Sequence, residues 1–263
     1  MTSPRPESAD DPLIALAEEM ARTARAIVLG YYENQIAFEA KADASPVTAA
    51  DRECEAAIRR LIEARFPDHG IYGEEYGAKN TGADFVWVLD PIDGTKAFIT
   101  GKPLFGTLIG LLKEGRPHLG VMDIPALKET WTGAPGRPAT CNGKAVKSRP
   151  CAELSRAWLA TTSPQMHQGL GFDRFEALRH RCLHTLYGGD CYAYATVARG
   201  RADLVCEGSL QPYDYVAIVP IIEAAGGMMT DWQGRTLGLS GDGRVLASGD
   251  PAAHEQALAI LQG

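Results

Sequence analysis

Val86-Trp87-Val88-Leu89-Asp90-Pro91-Ile92-Asp93-Gly94-Thr95 is the stretch on which the reading of this chain turns. Val86 to Leu89 are apolar and rich in β-branched and aromatic residues, the composition of a buried strand. The run ends in two carboxylates, and a Gly-Thr turn follows. Pro91 fixes one backbone angle between the carboxylates, and Gly94 permits a tight turn. Asp90 and Asp93 are therefore delivered to one spot at the strand's end. Carboxylates held that close repel unless a cation or a proton lies between them. Hard divalent cations such as Mg²⁺ take oxygen ligands of this kind and leave positions for water and phosphate. Taken alone, the stretch is also readable as a strand closed by an Asp-rich turn.

Outward from it, the chain of 263 residues is 45% hydrophobic and 22% charged, enough for one large core or two sub-domains. Its net charge of -7 argues against a nucleic-acid partner, which calls for a basic face. It does not exclude a phosphorylated substrate, because bound metal reverses the local sign. Met1 to Asp10 lacks the basic-then-apolar pattern of a leader. No apolar run approaches the ~20 residues of a membrane span. Cys54, Cys141, Cys151, Cys182, Cys191 and Cys206 form no CxxC pair, as expected of reduced thiols in a cytoplasmic protein rather than a zinc site.

Asp10-Asp11-Pro12 is a helix start, and Leu13, Leu16, Met20, Ala24, Ile27, Val28 and Tyr31 follow at helical spacing. A second helix is predicted from Thr48 to Phe66, stopped by Pro67. Val86–Leu89, Leu104–Leu112, His118–Met122 and Glu129–Thr132 are predicted strands of an antiparallel meander. Beyond Gly133–Pro138 and Arg149-Pro150 the pattern alternates: strands at 158–162, 182–187 and 202–206, helices at 172–179, 190–199 and 213–225. A hairpin near 227–232 and 244–248 and a helix from Pro251 close the chain. Alternation of this kind favours an α/β layered fold. The expected division is an N-terminal α+β sub-domain, residues 1–145, carrying most metal ligands, and a C-terminal α/β sub-domain, residues 146–263, completing the site. Pro220 should kink or break the 213–225 helix.

Acidic residues recur at element ends: Asp51 in the first turn of the second helix, Glu74 and Glu75 after Gly73, Asp90 and Asp93, and Asp214 at a helix start. Singly, each is readable as a dipole partner, a loop charge or a cap. Together they form the pattern of a multi-metal carboxylate site. The Gly94 and Thr95 amides can hold phosphate oxygens, and the Thr95 hydroxyl can orient a water.

Gly73-Glu74-Glu75, Asp90-Pro91-Ile92-Asp93-Gly94-Thr95, and Pro212-Tyr213-Asp214 ahead of Ala224-Ala225-Gly226-Gly227 resemble the inositol monophosphatase family of Mg²⁺-dependent, lithium-sensitive phosphatases. The resemblance runs from about Leu13 to Ala259. It implies a layered α/β/α/β/α sandwich, a homodimer, and two or three Mg²⁺ ions. Glu74, Asp90, the Ile92 carbonyl, Asp93 and Asp214 would be the metal ligands. Asp51, with Thr95 and Glu74, would be the catalytic set that aims and activates water at the phosphorus. Asp93, Gly94, Thr95 and Asp214 would also meet the substrate.

Lys41-x-Asp43-x-Ser45-Pro46-Val47-Thr48-x-x-Asp51, Lys96-Ala97-Phe98-Ile99-Thr100-Gly101 after Thr95, and Gly188-Gly189-Asp190-Cys191-Tyr192-Ala193-Tyr194 resemble the histidinol-phosphate phosphatase branch, which makes L-histidinol in histidine biosynthesis. Inositol monophosphatases usually carry Thr-Asn-Phe in place of Lys96-Ala97-Phe98 and Trp-Asp in place of Tyr213-Asp214. L-histidinol phosphate bears an ammonium group and an imidazole, so its pocket benefits from carboxylates away from the metals. Asp190 and Glu207 are the candidates, and Arg199 is available to pair with either. The alternatives are an inositol-1-phosphate, sugar or nucleotide phosphatase of the same family, or a regulatory protein acting through a partner. The net charge and the complete acidic set speak against the last of these.

Overall fold

A computed structural model describes residues 11–33, 38–40 and 46–263. The expected helix start at Asp10 and the Lys41 to Ser45 part of the signature lie outside them. Helices α1 (Asp11–Glu33) and α2 (Ala49–Arg65) flank a two-stranded ribbon of β1 (Phe38–Ala40) and β2 (Pro46–Thr48). Leu16, Met20, Ala24 and Val28 of α1, and Cys54, Ile58 and Ile62 of α2, are buried at the spacing of one helix face.

Then come β3 (Gly70–Gly73), β4 (Gly77–Lys79), β5 (Phe85–Asp93), the short α3 (Thr95–Ile99), β6 (Gly106–Lys113), β7 (Arg116–Ile124), β8 (Glu129–Gly133), β9 (Thr140–Cys141) and β10 (Lys144–Ala145). They build an eight-stranded sheet in the order β10-β9-β8-β7-β6-β5-β3-β4. Strands β5 to β8 are the expected antiparallel meander, and β3 joins β5 in parallel.

The second half contributes β11 (Trp158–Thr161), α4 (Leu170–Arg179), β12 (His184–Tyr187), α5 (Tyr192–Ala198), β13 (Leu204–Glu207), α6 (Pro212–Tyr215), α7 (Ile218–Ala224), β14 (Met228–Asp231), β15 (Val245–Ser248) and α8 (Pro251–Gln262). A five-stranded sheet runs β12-β11-β13-β15-β14. Its first three strands are parallel, and β15 is antiparallel to both its neighbours.

Alternation along the strands explains the layers. Trp87, Leu89, Ile109, Leu111 and Val121 face α1 and α2. Val86, Val88, Leu108 and Met122, on the opposite face, pack with α5, α7 and with Val205 and Ala247 of the second sheet. Leu159, Leu204 and Leu246 turn the other way onto α4 and α8. The result is the α/β/α/β/α sandwich.

The single helix expected over 213–225 is two helices, separated at Val216 and Ala217. Pro220 has no N–H for the Val216 carbonyl and its ring crowds that carbonyl, so the break falls one turn before the proline. A bare stripe on the sheet receives this junction. Gly110, Gly120 and Gly133 are register partners across β6, β7 and β8. A Cβ at Gly120 would lie 1.8 Å from the Ala217 carbonyl oxygen, and one at Gly133 would lie 2.4 Å from Ile221 Cα. Glycine lets the α6–α7 backbone press onto the strands, with α6 against β5 and Asp214 beside its end.

Candidate active site

On a regular strand, residues three apart face opposite sides. Asp90 pairs with Leu108, but Asp93 pairs with Gly106, so a bulge adds one residue between the carboxylates. That extra residue returns both side chains to one side. The buried Thr107 hydroxyl donates to the Pro91 carbonyl at 2.7 Å and holds the bulge. Gly94 then turns the chain at φ 79°, and Thr95 opens α3 with its hydroxyl donating to the Ile92 carbonyl at 3.2 Å.

Asp214 arrives from α6, where its carboxylate accepts the Gln211 amide at 2.7 Å while Gln211 reciprocates as the cap. Carboxylate oxygens of Asp90, Asp93 and Asp214 lie within 4.8 Å of one another. Glu74 follows β3, its amide bonded to the Leu89 carbonyl at 3.2 Å. The Tyr72 and Tyr213 rings stack at 6.3 Å and tie β3 to α6. Asp51, 3% exposed, comes from the first turn of α2.

Burial is the first cause that lifts the Asp90 carboxyl well above the usual range, followed by the charges of Glu74, Asp93, Asp214 and Asp51. Asp93 is raised in the same way, by burial and then by Asp214 and Asp190, against hydrogen bonding from Cys191. Asp214 is pushed up to about 7, chiefly by burial. Asp90, Asp93 and Asp214 are thus raised by burial and by neighbouring carboxylates that separate elements bring together. One oxygen of Asp90 is buried with no hydrogen-bond partner. An orphaned buried oxygen beside two more carboxylates is the donor set a hard divalent cation satisfies. The residues fit such an ion.

Asp190 lies after β12 at φ 44°, and a Cβ on Gly94 would sit 3.1 Å from Asp190 Cβ, so the two loops touch. The Cys191 amide donates to Asp93 at 2.8 Å, docking the start of α5 on the metal-ligand candidate. Asp190 does not cap α5 with its side chain, since the helix begins at Tyr192. Glu207 is 3% exposed and ends β13. Arg199 pairs with neither carboxylate. It reaches Glu129 at 3.0 Å and covers the Trp131 ring at 4.5 Å.

Sequence reasoning passes over Glu55. It is fully buried on α2, accepts the Glu75 amide at 2.8 Å and the Tyr76 amide at 3.2 Å, and pairs with Arg59 at 2.8 Å. It shapes the turn that presents Glu74. The available signal is its place four residues after Asp51, on the same face of the helix.

A model described as the inositol monophosphatase family matches residues 9–263. The bifunctional phosphatase IMPL2, chloroplastic, of Arabidopsis thaliana is 44% identical, over 96% of this chain and 75% of that protein. A histidinol-phosphatase of Chlorobaculum parvum is 37% identical, over 90% and 92%. A solved inositol monophosphatase from Zymomonas mobilis superposes with a TM-score of 0.90 at 43% identity, covering 98% of this chain and all of that one.

Proposed function

The chain belongs to the inositol monophosphatase family, and on that premise we propose that it is a Mg²⁺-dependent phosphomonoesterase that releases phosphate from L-histidinol phosphate. It is a phosphoric monoester hydrolase of small phosphate esters. The observation that carries the narrower reading is a pair of acidic residues outside the metal-ligand cluster, half-buried Asp190 and buried Glu207, where a polyol substrate needs no counter-charge. Relatives named histidinol-phosphatase at 32% and 37% identity support it.

Asp90, Asp93, Asp214, Glu74 and the Ile92 carbonyl are the residues that would hold the ions. When bound, Mg²⁺ supplies positive charge at the phosphate and makes the attacking water more acidic. Asp51 would take that water's proton, and the Thr95 hydroxyl would help to aim it. The Gly94 and Thr95 amides hold phosphate oxygens. Catalysis is mostly positioning and charge neutralisation, with no covalent phosphoenzyme.

Burial raises the Asp190 carboxyl, and Lys102 and Lys96 lower it. Asp190→Ala is expected to cut kcat/KM for L-histidinol phosphate about tenfold more than for a neutral phosphate ester. Equal losses on both substrates would remove Asp190 from the pocket.

The protein is proposed to act as a cytoplasmic homodimer. Edge strand β12 exposes Leu186 and Tyr187 beside exposed Leu183, and no charged residue lies between Leu183 and Gly189. Two copies of a net-negative chain can pair there without repulsion. Light scattering should read twice the single-chain 28.2 kDa, and the single-chain mass would contradict the dimer.

A further inference from the structure

The Gly188 to Tyr194 motif holds one side chain with no part in the chemistry above. Tyr194 lies on α5, 2% exposed, and its hydroxyl donates to Glu207 Oε2 at 2.8 Å. The other oxygen, Oε1, accepts the Thr162 amide at 3.0 Å and the Thr162 hydroxyl at 2.6 Å. Three neutral donors therefore converge on one buried carboxylate. Among the described residues, no lysine or arginine makes a salt bridge with it. A buried carboxylate that serves only the core is ordinarily paired with a cation. Here the protein supplies hydrogen bonds in place of a counter-ion and leaves the negative charge uncompensated.

The donors also fix direction. A carboxylate has about four lone-pair positions, two on each oxygen. Thr162 fills both on Oε1, and Tyr194 fills one on Oε2, so among the described residues one position on Oε2 receives no donor. Glu207 feels the charge of Asp190, and Asp214 feels that of Glu207, so Glu207 lies within electrostatic reach of the cleft. Tyr194 is connected to that cleft through α5, whose N-cap residue Cys191 gives its amide to Asp93.

We propose that Tyr194 and Thr162 are positioning residues for substrate choice: they aim Glu207 so that its one open lone pair receives the cationic or N–H-bearing end of the substrate. The inference rests on the reading that Glu207 meets the substrate. It adds that this contact depends on a tyrosine hydroxyl that never touches the substrate. It separates recognition from chemistry, because among the described residues the side-chain hydrogen bonds of Tyr194 and Thr162 go to Glu207 and not to the phosphate-binding residues.

The test measures kcat and KM at saturating Mg²⁺ for wild type, Tyr194→Phe, Glu207→Gln and the double variant, each on L-histidinol phosphate and on β-glycerophosphate, whose alcohol is uncharged. Tyr194→Phe is expected to raise KM for L-histidinol phosphate about tenfold, the worth of a hydrogen bond to a charged group. Its parameters on β-glycerophosphate should stay within about twofold. The double variant should be no worse than Glu207→Gln alone, because the hydroxyl acts through that carboxylate. Thr162→Ser should rescue what Thr162→Val loses. Additive losses in the double variant, or equal losses on both substrates for Tyr194→Phe, would make the tyrosine a core residue and overturn the proposal. A Glu207→Gln variant that treats both substrates alike would remove the underlying reading of Glu207 instead. β-Glycerophosphate turnover reports in each case that the variant has folded.

Discussion

Asp93→Asn is expected to lower the rate of phosphate release by about 10²–10³-fold or more at saturating Mg²⁺, while the protein stays folded. Asp93 sits where three lines of structure meet. The β5 bulge turns it to the side of Asp90, α6 brings Asp214 within 4.8 Å, and the Cys191 amide docks on its carboxylate at 2.8 Å. Asparagine keeps an oxygen for the Cys191 amide, so the α5 contact survives. What it loses is one negative charge from the group of carboxylates that would hold the ions. That charge matters most when the phosphate's own charge shifts toward the leaving oxygen. The substitution also relieves repulsion at the metal-free site, so the melting temperature without Mg²⁺ should hold or rise. Circular dichroism melts beside a phosphate-release assay read both quantities. Turnover near that of the wild type would remove Asp93 from the metal set.

The second large effect is the coupling of Mg²⁺ to stability and pH. Burial, and then the charge of neighbouring carboxylates, raises Asp90, Asp93 and Asp214 above ordinary carboxylates. For Asp214 the folded value is about 7 against 3.8 for a free carboxylate. A raised carboxyl binds its proton more tightly in the fold than in the unfolded chain. Its contribution to stability is complete below the ordinary value and is lost as pH climbs through the folded one. The metal-free protein should therefore weaken between those values, and Mg²⁺ should restore what the protons no longer supply. Mg²⁺ is expected to raise the melting temperature by about 5 °C near pH 8 and far less near pH 5.5, where protons compete for the same oxygens. Differential scanning fluorimetry with Mg²⁺ and with a chelator checks this. A Mg²⁺ effect that is absent, or larger at the acid end, would contradict the site.

Much of this architecture is legible in residues 86–95. The apolar run, the two carboxylates and the Gly-Thr turn specify a strand end and its turn from local chemistry alone. The long helices are legible too, because α1 and α2 repeat their apolar residues over several turns. Strands β3 and β4 are not: Gly70-Ile71-Tyr72-Gly73 is too short and too glycine-rich to reveal a period, and β4 is exposed throughout. The helix break was expected from Pro220 but lies one turn earlier, because a proline acts on the carbonyl four residues before it. The row formed by Gly110, Gly120 and Gly133 is invisible in sequence, since its meaning depends on strand register. Glu55 escapes for a related reason. A glutamate on a charged helix has the composition of a surface residue, its spacing from Asp51 marks only a shared helix face, and the fold turns it toward the Glu75 and Tyr76 amides. Arg199 shows the opposite limit. Its charge suggests an acidic partner, and it finds Glu129, a residue far from the candidates that sequence proximity offered.

The most direct test of the account is phosphate release with Mg²⁺ from L-histidinol phosphate, run beside inositol 1-phosphate, a sugar phosphate and adenosine 3′,5′-bisphosphate. The kcat/KM for L-histidinol phosphate is expected to exceed the others by about 10²-fold or more, the discrimination that half-buried Asp190 and buried Glu207 would give if both met the cationic end of the substrate. Equal rates on all four, or a preference for the uncharged polyol, would contradict it.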